Sequence, residues 1–128
     1  MAKILIAEDE LLMLKALEFK LKKDGYHVEI ASDGKQAMEK VRNNTYDLIL
    51  TDIMMPFVGG MEILSYIKND PIKKNTPVII LSAVGLENIV LEGFALGADD
   101  FVSKPFNLNE LSVRIKRYIR LDVFNSGK

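Results

Sequence analysis

Asp47-Leu48-Ile49-Leu50-Thr51-Asp52-Ile53-Met54-Met55-Pro56-Phe57-Val58-Gly59-Gly60 is the stretch whose reading decides the fold. Leu48 to Thr51 suit a strand covered on both faces, and they run directly into Asp52. Pro56 and the Gly59-Gly60 pair then interrupt regular structure. A carboxylate therefore stands at the carboxyl end of a buried strand, on the lip of a loop. In open α/β sheets this rim is where ligands bind, which makes Asp52 the first functional candidate.

Upstream, Ile4-Leu5-Ile6-Ala7 is a second continuous apolar run, ending abruptly in Glu8, Asp9 and Glu10. The spacing of Leu11, Leu14, Leu17 and Leu21 predicts a helix with one apolar stripe. Lys22 and Lys23 suit its negative end, and Gly25 can close it in the left-handed conformation. Val28 and Ile30 alternate with Glu29, as in an edge strand. Asp33 with Gln36 predicts a capping box for a helix that turns Ala37 and Val41 inward and ends at Asn43-Asn44.

Downstream, a helix is expected from Gly60, with Met61, Leu64 and Ile67 on one side and Asp70-Pro71 as its stop. Val78-Ile79-Ile80-Leu81 predicts a buried strand that ends at Ser82. A helix from about Glu87 to Leu96 should stop at Gly97. Phe101-Val102-Ser103 reads as a short last strand before Lys104-Pro105. Asn107 and Glu110 are expected to cap the final helix, whose Leu111, Ile115 and Ile119 face the core.

Strict alternation of buried strands with amphipathic helices calls for a parallel sheet, because parallel neighbours need crossovers of this length. The fold class is α/β, a three-layer doubly wound five-stranded sandwich. Right-handed crossovers would set the first and third strands side by side at its centre; the remaining order is not given by periodicity. At 128 residues, with 48% apolar and 27% charged, the chain is sized for one domain with one layered core. A net charge of -1 gives no reason to expect a nucleic-acid surface. The lack of cysteine excludes disulfides, thiolate metal sites and a cysteine nucleophile. No run approaches membrane-span length and the amino terminus shows no signal pattern, so a cytoplasmic location without a membrane partner is expected.

In this architecture Glu8, Asp9, Asp52, Ser82 and Lys104 all fall at the carboxyl ends of strands on one edge of the sheet. Three carboxylates held together repel and need a cation or a shared proton. Few carboxylates with water completing the shell suit Mg²⁺ better than Ca²⁺. Such an ion beside Asp52 would also neutralise a phosphoryl group, making Asp52 a nucleophile that becomes an acyl phosphate. Lys104 could then pair with one phosphoryl oxygen and the Ser82 hydroxyl with another. Taken singly, a strand-end acid is usually a turn former, Ser82 a turn hydroxyl and Lys104 a solvated charge; their coincidence on one rim carries the functional reading. His27, the sole histidine, lies away from that rim and reads as structural or solvated. Met54 and Met55 read as loop packing. Arg114, Lys116, Arg117 and Arg120 read as the wet face of the last helix.

With these residues in place the chain resembles the receiver domain of two-component response regulators, from about Lys3 to Arg120. The matching motifs are Glu8-Asp9 after the first strand, Leu50-Thr51-Asp52-Ile53-Met54-Met55-Pro56, the Ser82 hydroxyl after Val78 to Leu81, Gly97-Ala98-Asp99-Asp100-Phe101, and Ser103-Lys104-Pro105-Phe106. The resemblance implies the strand order 2-1-3-4-5, given for the chemotaxis receiver among doubly wound folds. It further implies that Asp52 accepts phosphate from a sensor histidine kinase or phosphotransfer protein. Glu8, Asp9, Asp52 and the Met54 backbone carbonyl would surround Mg²⁺, with Lys104 and Ser82 holding the phosphoryl group. Lys104-Pro105 would be cis. A switch is expected in which Ser82 moves toward the phosphoryl oxygens and the Phe101 ring enters the vacated space, changing the face of the fourth helix, fifth strand and fifth helix. Phe101 stands where many members carry tyrosine, and Glu8, where aspartate is commoner, lengthens one ligand arm toward a water-mediated contact.

Residues 1–122 are then expected to form the receiver and 123–128 a short tail, either of a stand-alone receiver or of one cut from a longer regulator. A downstream output domain or protein is the expected partner, with homodimerisation on phosphorylation, and no enzyme activity beyond weak self-catalysed phosphorylation and dephosphorylation. Two rivals compete. A phosphatase of the haloacid dehalogenase type would need a second acid two residues after Asp52, where Met54 stands. A flavodoxin-type module or a pseudo-receiver that never takes phosphate is the other, and Glu8-Asp9-Glu10 would repel a flavin phosphate.

Overall fold

A computed structural model describes residues 1–83 and 87–126, and among them every side chain except those of residues 87 and 120–126. Ten elements alternate: β1 (Lys3–Ala7), α1 (Leu11–Lys23), β2 (His27–Ala31), α2 (Gly34–Asn43), β3 (Leu48–Asp52), α3 (Gly60–Asn69), β4 (Val78–Ala83), α4 (Glu87–Ala95), β5 (Asp100–Lys104) and α5 (Leu108–Ser126). The five strands are all parallel in the order β2-β1-β3-β4-β5, so β1 and β3 are central neighbours as the crossover rule predicts. Among the described residues no helix is long and apolar enough to cross a membrane.

Side-chain alternation along the strands divides the core in two. Ile4, Ile6, Leu48, Leu50, Ile79, Leu81 and Val102 pack against Leu14, Leu17 and Leu21 of α1 and Leu111 and Ile115 of α5. The intervening residues, among them Leu5, Ile49, Val78 and Ile80, meet Ala37, Met38 and Val41 of α2 and Ile63, Leu64 and Ile67 of α3. Each fully buried leucine or isoleucine contributes roughly 1.5–3 kcal/mol of transfer free energy, which is why both strand faces are apolar up to the rim.

Local punctuation explains the element ends, with four departures from expectation. Gly25 (φ 99°) and Gly97 (φ 105°) close α1 and α4 in left-handed conformations. In each, the next residue's amide reaches back to the helix, Tyr26 to Leu21 and Ala98 to Gly93, satisfying carbonyls that would otherwise be orphaned. The α1 stripe begins at Leu14, because Leu11 is 62% exposed at the first turn. In α3, Ile63 is buried beside Leu64 and Ile67. Asp33 caps α2 through the Gln36 amide, but Gln36 returns its bond to Ser32, one residue upstream of the cap. Asn107 Oδ1 accepts from the amides of Asn109 and Glu110, whereas the Glu110 carboxylate turns to Arg114. The Lys104-Pro105 bond is cis. Of the expected tail, Gly127 and Lys128 lie outside the described residues.

Candidate functional site

The rim is assembled by strand phase. Glu8 follows Ile4 and Ile6, Asp52 follows Leu48 and Leu50, and Lys104 follows Val102, so all three are in step with the residues that face α1 and α5. Lys104 sits two strands from Asp52, roughly 10 Å at ordinary strand spacing, and its long stem spans the end of β4. Its ammonium lies 2.8 Å from Glu8 Oε1 and 2.9 Å from Asp52 Oδ2. Sequence spacing placed Lys104 just past a strand; it is the last residue of β5, paired with Ala83, and Ser82 likewise lies within β4.

Glu8 is wholly buried, and its two oxygens have different partners. Oε1 takes the Lys104 ammonium, and Oε2 accepts the Glu10 amide at 3.1 Å. Burial pushes its pKa above the ordinary carboxylate value, the Lys104 bond only partly offsets this, and the charge on Asp52 adds to the rise. Burial also opposes the charge on Lys104, yet bonds to Glu8 and Asp52 outweigh it and raise its pKa. The longer acid at position 8 is therefore a held, direct partner of the lysine, a role that spacing could not reveal.

Asp9 is exposed, but one carboxylate oxygen each of Glu8, Asp9 and Asp52 lie within 4.8 Å of one another. An octahedral ion with oxygens at about 2.1 Å sets opposite ligands about 4.2 Å apart, so small side-chain adjustments close this set on one hard cation. Three oxygens from two central strands and the following loop, half rim and half solvent, fit an ion that keeps several waters.

The backbone around Asp52 is fixed by features the sequence only hinted at. Thr51 Oγ1 donates to the Asp52 carbonyl at 3.0 Å, and the Gly60 amide donates to the Ile53 carbonyl at 2.7 Å. A Cβ on Gly60 would lie 2.1 Å from the Asp52 carbonyl oxygen, so only glycine lets α3 start this close to Asp52. Within the loop, the Val58 amide donates to the Pro56 carbonyl at 2.9 Å with Phe57 at φ 73° between them, a γ-turn of the rare, strained hand. The same carbonyl accepts the Gly34 amide at 3.1 Å, and a Cβ on Gly34 would collide with the Val58 carbonyl.

Glu8, Asp9, Asp52 and Lys104 thus converge. Ser82 is buried at the end of β4, in phase with Ile80 and so on the α2–α4 side of the sheet. Phe101 is the cross-strand partner of Ile80, which places it diagonally from Ser82 on that same side, partly buried against α4. Met54 exposes its side chain in the loop after Asp52. His27 is at the opposite end of the sheet, exposed beside Glu29. Of the expected basic face, Lys116 and Arg117 are exposed, Arg114 pairs with Asp100 at 2.9 Å, and the Arg120 side chain lies outside the described residues.

The family model described as response regulator receiver domain matches residues 4–116. Response regulator ArlR of Staphylococcus saprophyticus is 42% identical over 120 residues, covering 94% of this chain and 53% of ArlR. The chain thus spans about half the length of the curated relatives it matches. The receiver domain of Francisella response regulator 1452 superposes with a TM-score of 0.87 at 34% identity, covering 95% of this chain and 99% of that one. TrrA of Thermotoga maritima, solved in complex with Mg²⁺-BeF, gives 0.81 at 33% identity, with coverages of 92% and 99%.

Proposed function

Because the chain belongs to the response regulator receiver domain family, we propose that it is the phosphoacceptor of a two-component system and that Asp52 carries the phosphoryl group. The observation that carries the proposal is the shared Lys104 ammonium between Glu8 and Asp52, with Asp9 in reach of the same point. The donor is a phosphohistidine on a sensor histidine kinase or a phosphotransfer protein. An Asp52 oxygen attacks phosphorus, the new O–P bond forms as the N–P bond breaks, and the leaving imidazole nitrogen takes a proton from water.

Glu8, Asp9, Asp52 and the Met54 carbonyl would hold Mg²⁺. When bound, it supplies positive charge against the carboxylates and the incoming phosphoryl oxygens. Lys104 follows one of those oxygens and exchanges a carboxylate partner for it. The Ser82 hydroxyl binds another. The neighbour solved with Mg²⁺-BeF supports this assignment by likeness, since beryllofluoride stands in for a phosphoryl group.

Ser82 and Phe101 form the switch, and the changed surface is the α4, β5, α5 face. That face serves an output domain or protein and phosphorylation-dependent homodimerisation; nucleic acid is not contacted through this domain. Residues 1–122 are the signalling unit, residues 123–128 follow it, and self-catalysed phosphorylation and dephosphorylation are weak. Incubation with acetyl phosphate and Mg²⁺, read by intact mass, should give one phosphoryl adduct that Asp52→Asn or a chelator abolishes. An adduct that persists in Asp52→Asn would overturn the assignment.

A further inference from the structure

Gly93 occupies the interior of α4, where glycine is a poorer helix former than alanine and needs a compensating reason. The reason is on the neighbouring strand. A Cβ at Gly93 would lie 2.3 Å from Phe101 Cζ and 2.9 Å from its Cε2, closer than real contacts allow. The Phe101 ring therefore rests in the notch left by the missing side chain, and the Phe94 ring meets it at a centroid distance of 4.9 Å.

The carboxyl end of α4, just past the notch, is capped and tied to the sheet. The Gly93 carbonyl accepts the Ala98 amide at 3.0 Å, and the Phe94 carbonyl accepts the Gly97 amide at 3.0 Å. The turn beyond is fastened to the sheet by the Asp99 amide on the Val78 carbonyl, and Asp99 Oδ2 accepts both the Val78 amide and the Lys68 ammonium. The atoms that would clash all belong to the free end of the Phe101 ring, the part that yields most cheaply.

We propose that Gly93 is a positioning residue for the switch: its bare Cα is the seat that keeps the Phe101 ring against α4, and filling it drives the ring toward the space beside Ser82. This rests on the reading of Ser82 and Phe101 above. If ring position and phosphoryl binding are linked, the linkage is reciprocal, so evicting the ring strengthens binding of a phosphoryl mimic.

The test uses the full chain with ring-¹³C-labelled phenylalanine, which adds no bulk to the ring, its Phe101 signals assigned by Phe101→Leu. Gly93→Ala should displace the Phe101 ring ¹³C–¹H resonances before any ligand is added. It should also tighten apparent beryllofluoride affinity in Mg²⁺ by about fivefold or more, within the range of ordinary allosteric coupling. In a Phe101→Ala background, Gly93→Ala should leave that affinity unchanged and raise the melting temperature, since alanine then meets no ring. An unmoved resonance in Gly93→Ala, or an affinity change of the same size with and without Phe101, would overturn the seat. Should Gly93→Ala fail to fold alone, the double variant decides: it must be at least as stable as Phe101→Ala. A wild-type chain that binds no beryllofluoride would defeat the phosphoacceptor reading, while the resonance and the melting comparison would still judge the seat.

Discussion

Replacing Lys104 by alanine removes the ammonium that lies 2.8 Å from Glu8 and 2.9 Å from Asp52, and leaves a wholly buried carboxylate facing a second acid. Breaking a buried ion pair from one side costs about 3–5 kcal/mol, and because the Lys104 side chain keeps 22% of its exposure the low end applies, about 3 kcal/mol. The sign with pH follows from Glu8, whose folded pKa is raised by burial and rises further without the lysine. A carboxylate with a raised folded pKa favours the folded state while protonated, and that contribution fades as pH rises through the raised value. The deficit of Lys104→Ala should therefore be largest at neutral pH and shrink toward the ordinary carboxylate value of 4.5. Mg²⁺ at a hundredfold excess over its dissociation constant adds about 2.7 kcal/mol to any chain that binds it only when folded. It should add more to the variant, in which no ammonium competes for the same oxygens. Guanidinium unfolding in chelator and in Mg²⁺, at neutral and acidic pH, measures all four corners. An equal loss in all four would refute the shared-cation reasoning.

Three further outcomes are expected. Tyr46→Phe removes the 2.7 Å bond from the phenol to Glu29, and should cost about 1.5 kcal/mol, the low end for a bond to a charged group. That bond leads the causes that hold the Glu29 pKa below 4.5, so the loss is present above the ordinary carboxylate range and disappears as pH falls through the lowered value; denaturation across pH checks it. Phe57→Gly should raise stability by about 1 kcal/mol in thermal unfolding, because an 80% exposed ring gives up little packing while its φ of 73° strains any L side chain. Gly60→Ala should lower stability by at least about 2 kcal/mol and weaken Mg²⁺ binding, since the new methyl collides with the Asp52 carbonyl; binding as tight as wild type by calorimetry would contradict that.

Periodicity was enough for the ten elements, because both faces of the sheet are covered and the strands advertise themselves as unbroken apolar runs. It misassigned Leu11, since a stripe extrapolated by threes and fours does not reveal that the first turn of α1 overhangs the rim. The rim acids and Lys104 were legible from strand ends alone, whereas the contact between Lys104 and Glu8 depends on the phase of β1 and β5 relative to a shared face. Gly34, Gly60 and Gly93 carry no side chain whose pattern could be read. Their importance lies in close approaches to Val58, Asp52 and Phe101, which no local pattern encodes. The strained turn at Phe57 was equally silent, because nothing in Pro56-Phe57-Val58 calls for a left-handed aromatic residue.

The most direct measurement is the chemical fate of Asp52 after exposure to a phosphodonor. Borohydride reduces an aspartyl phosphate to homoserine, so reduction followed by peptide sequencing should find homoserine at position 52, formed with Mg²⁺ and absent with chelator. Homoserine at position 9, 5-hydroxynorvaline at position 8, or homoserine at 52 to the same extent without a divalent ion would contradict the assignment of one cation-assisted acceptor at the end of β3.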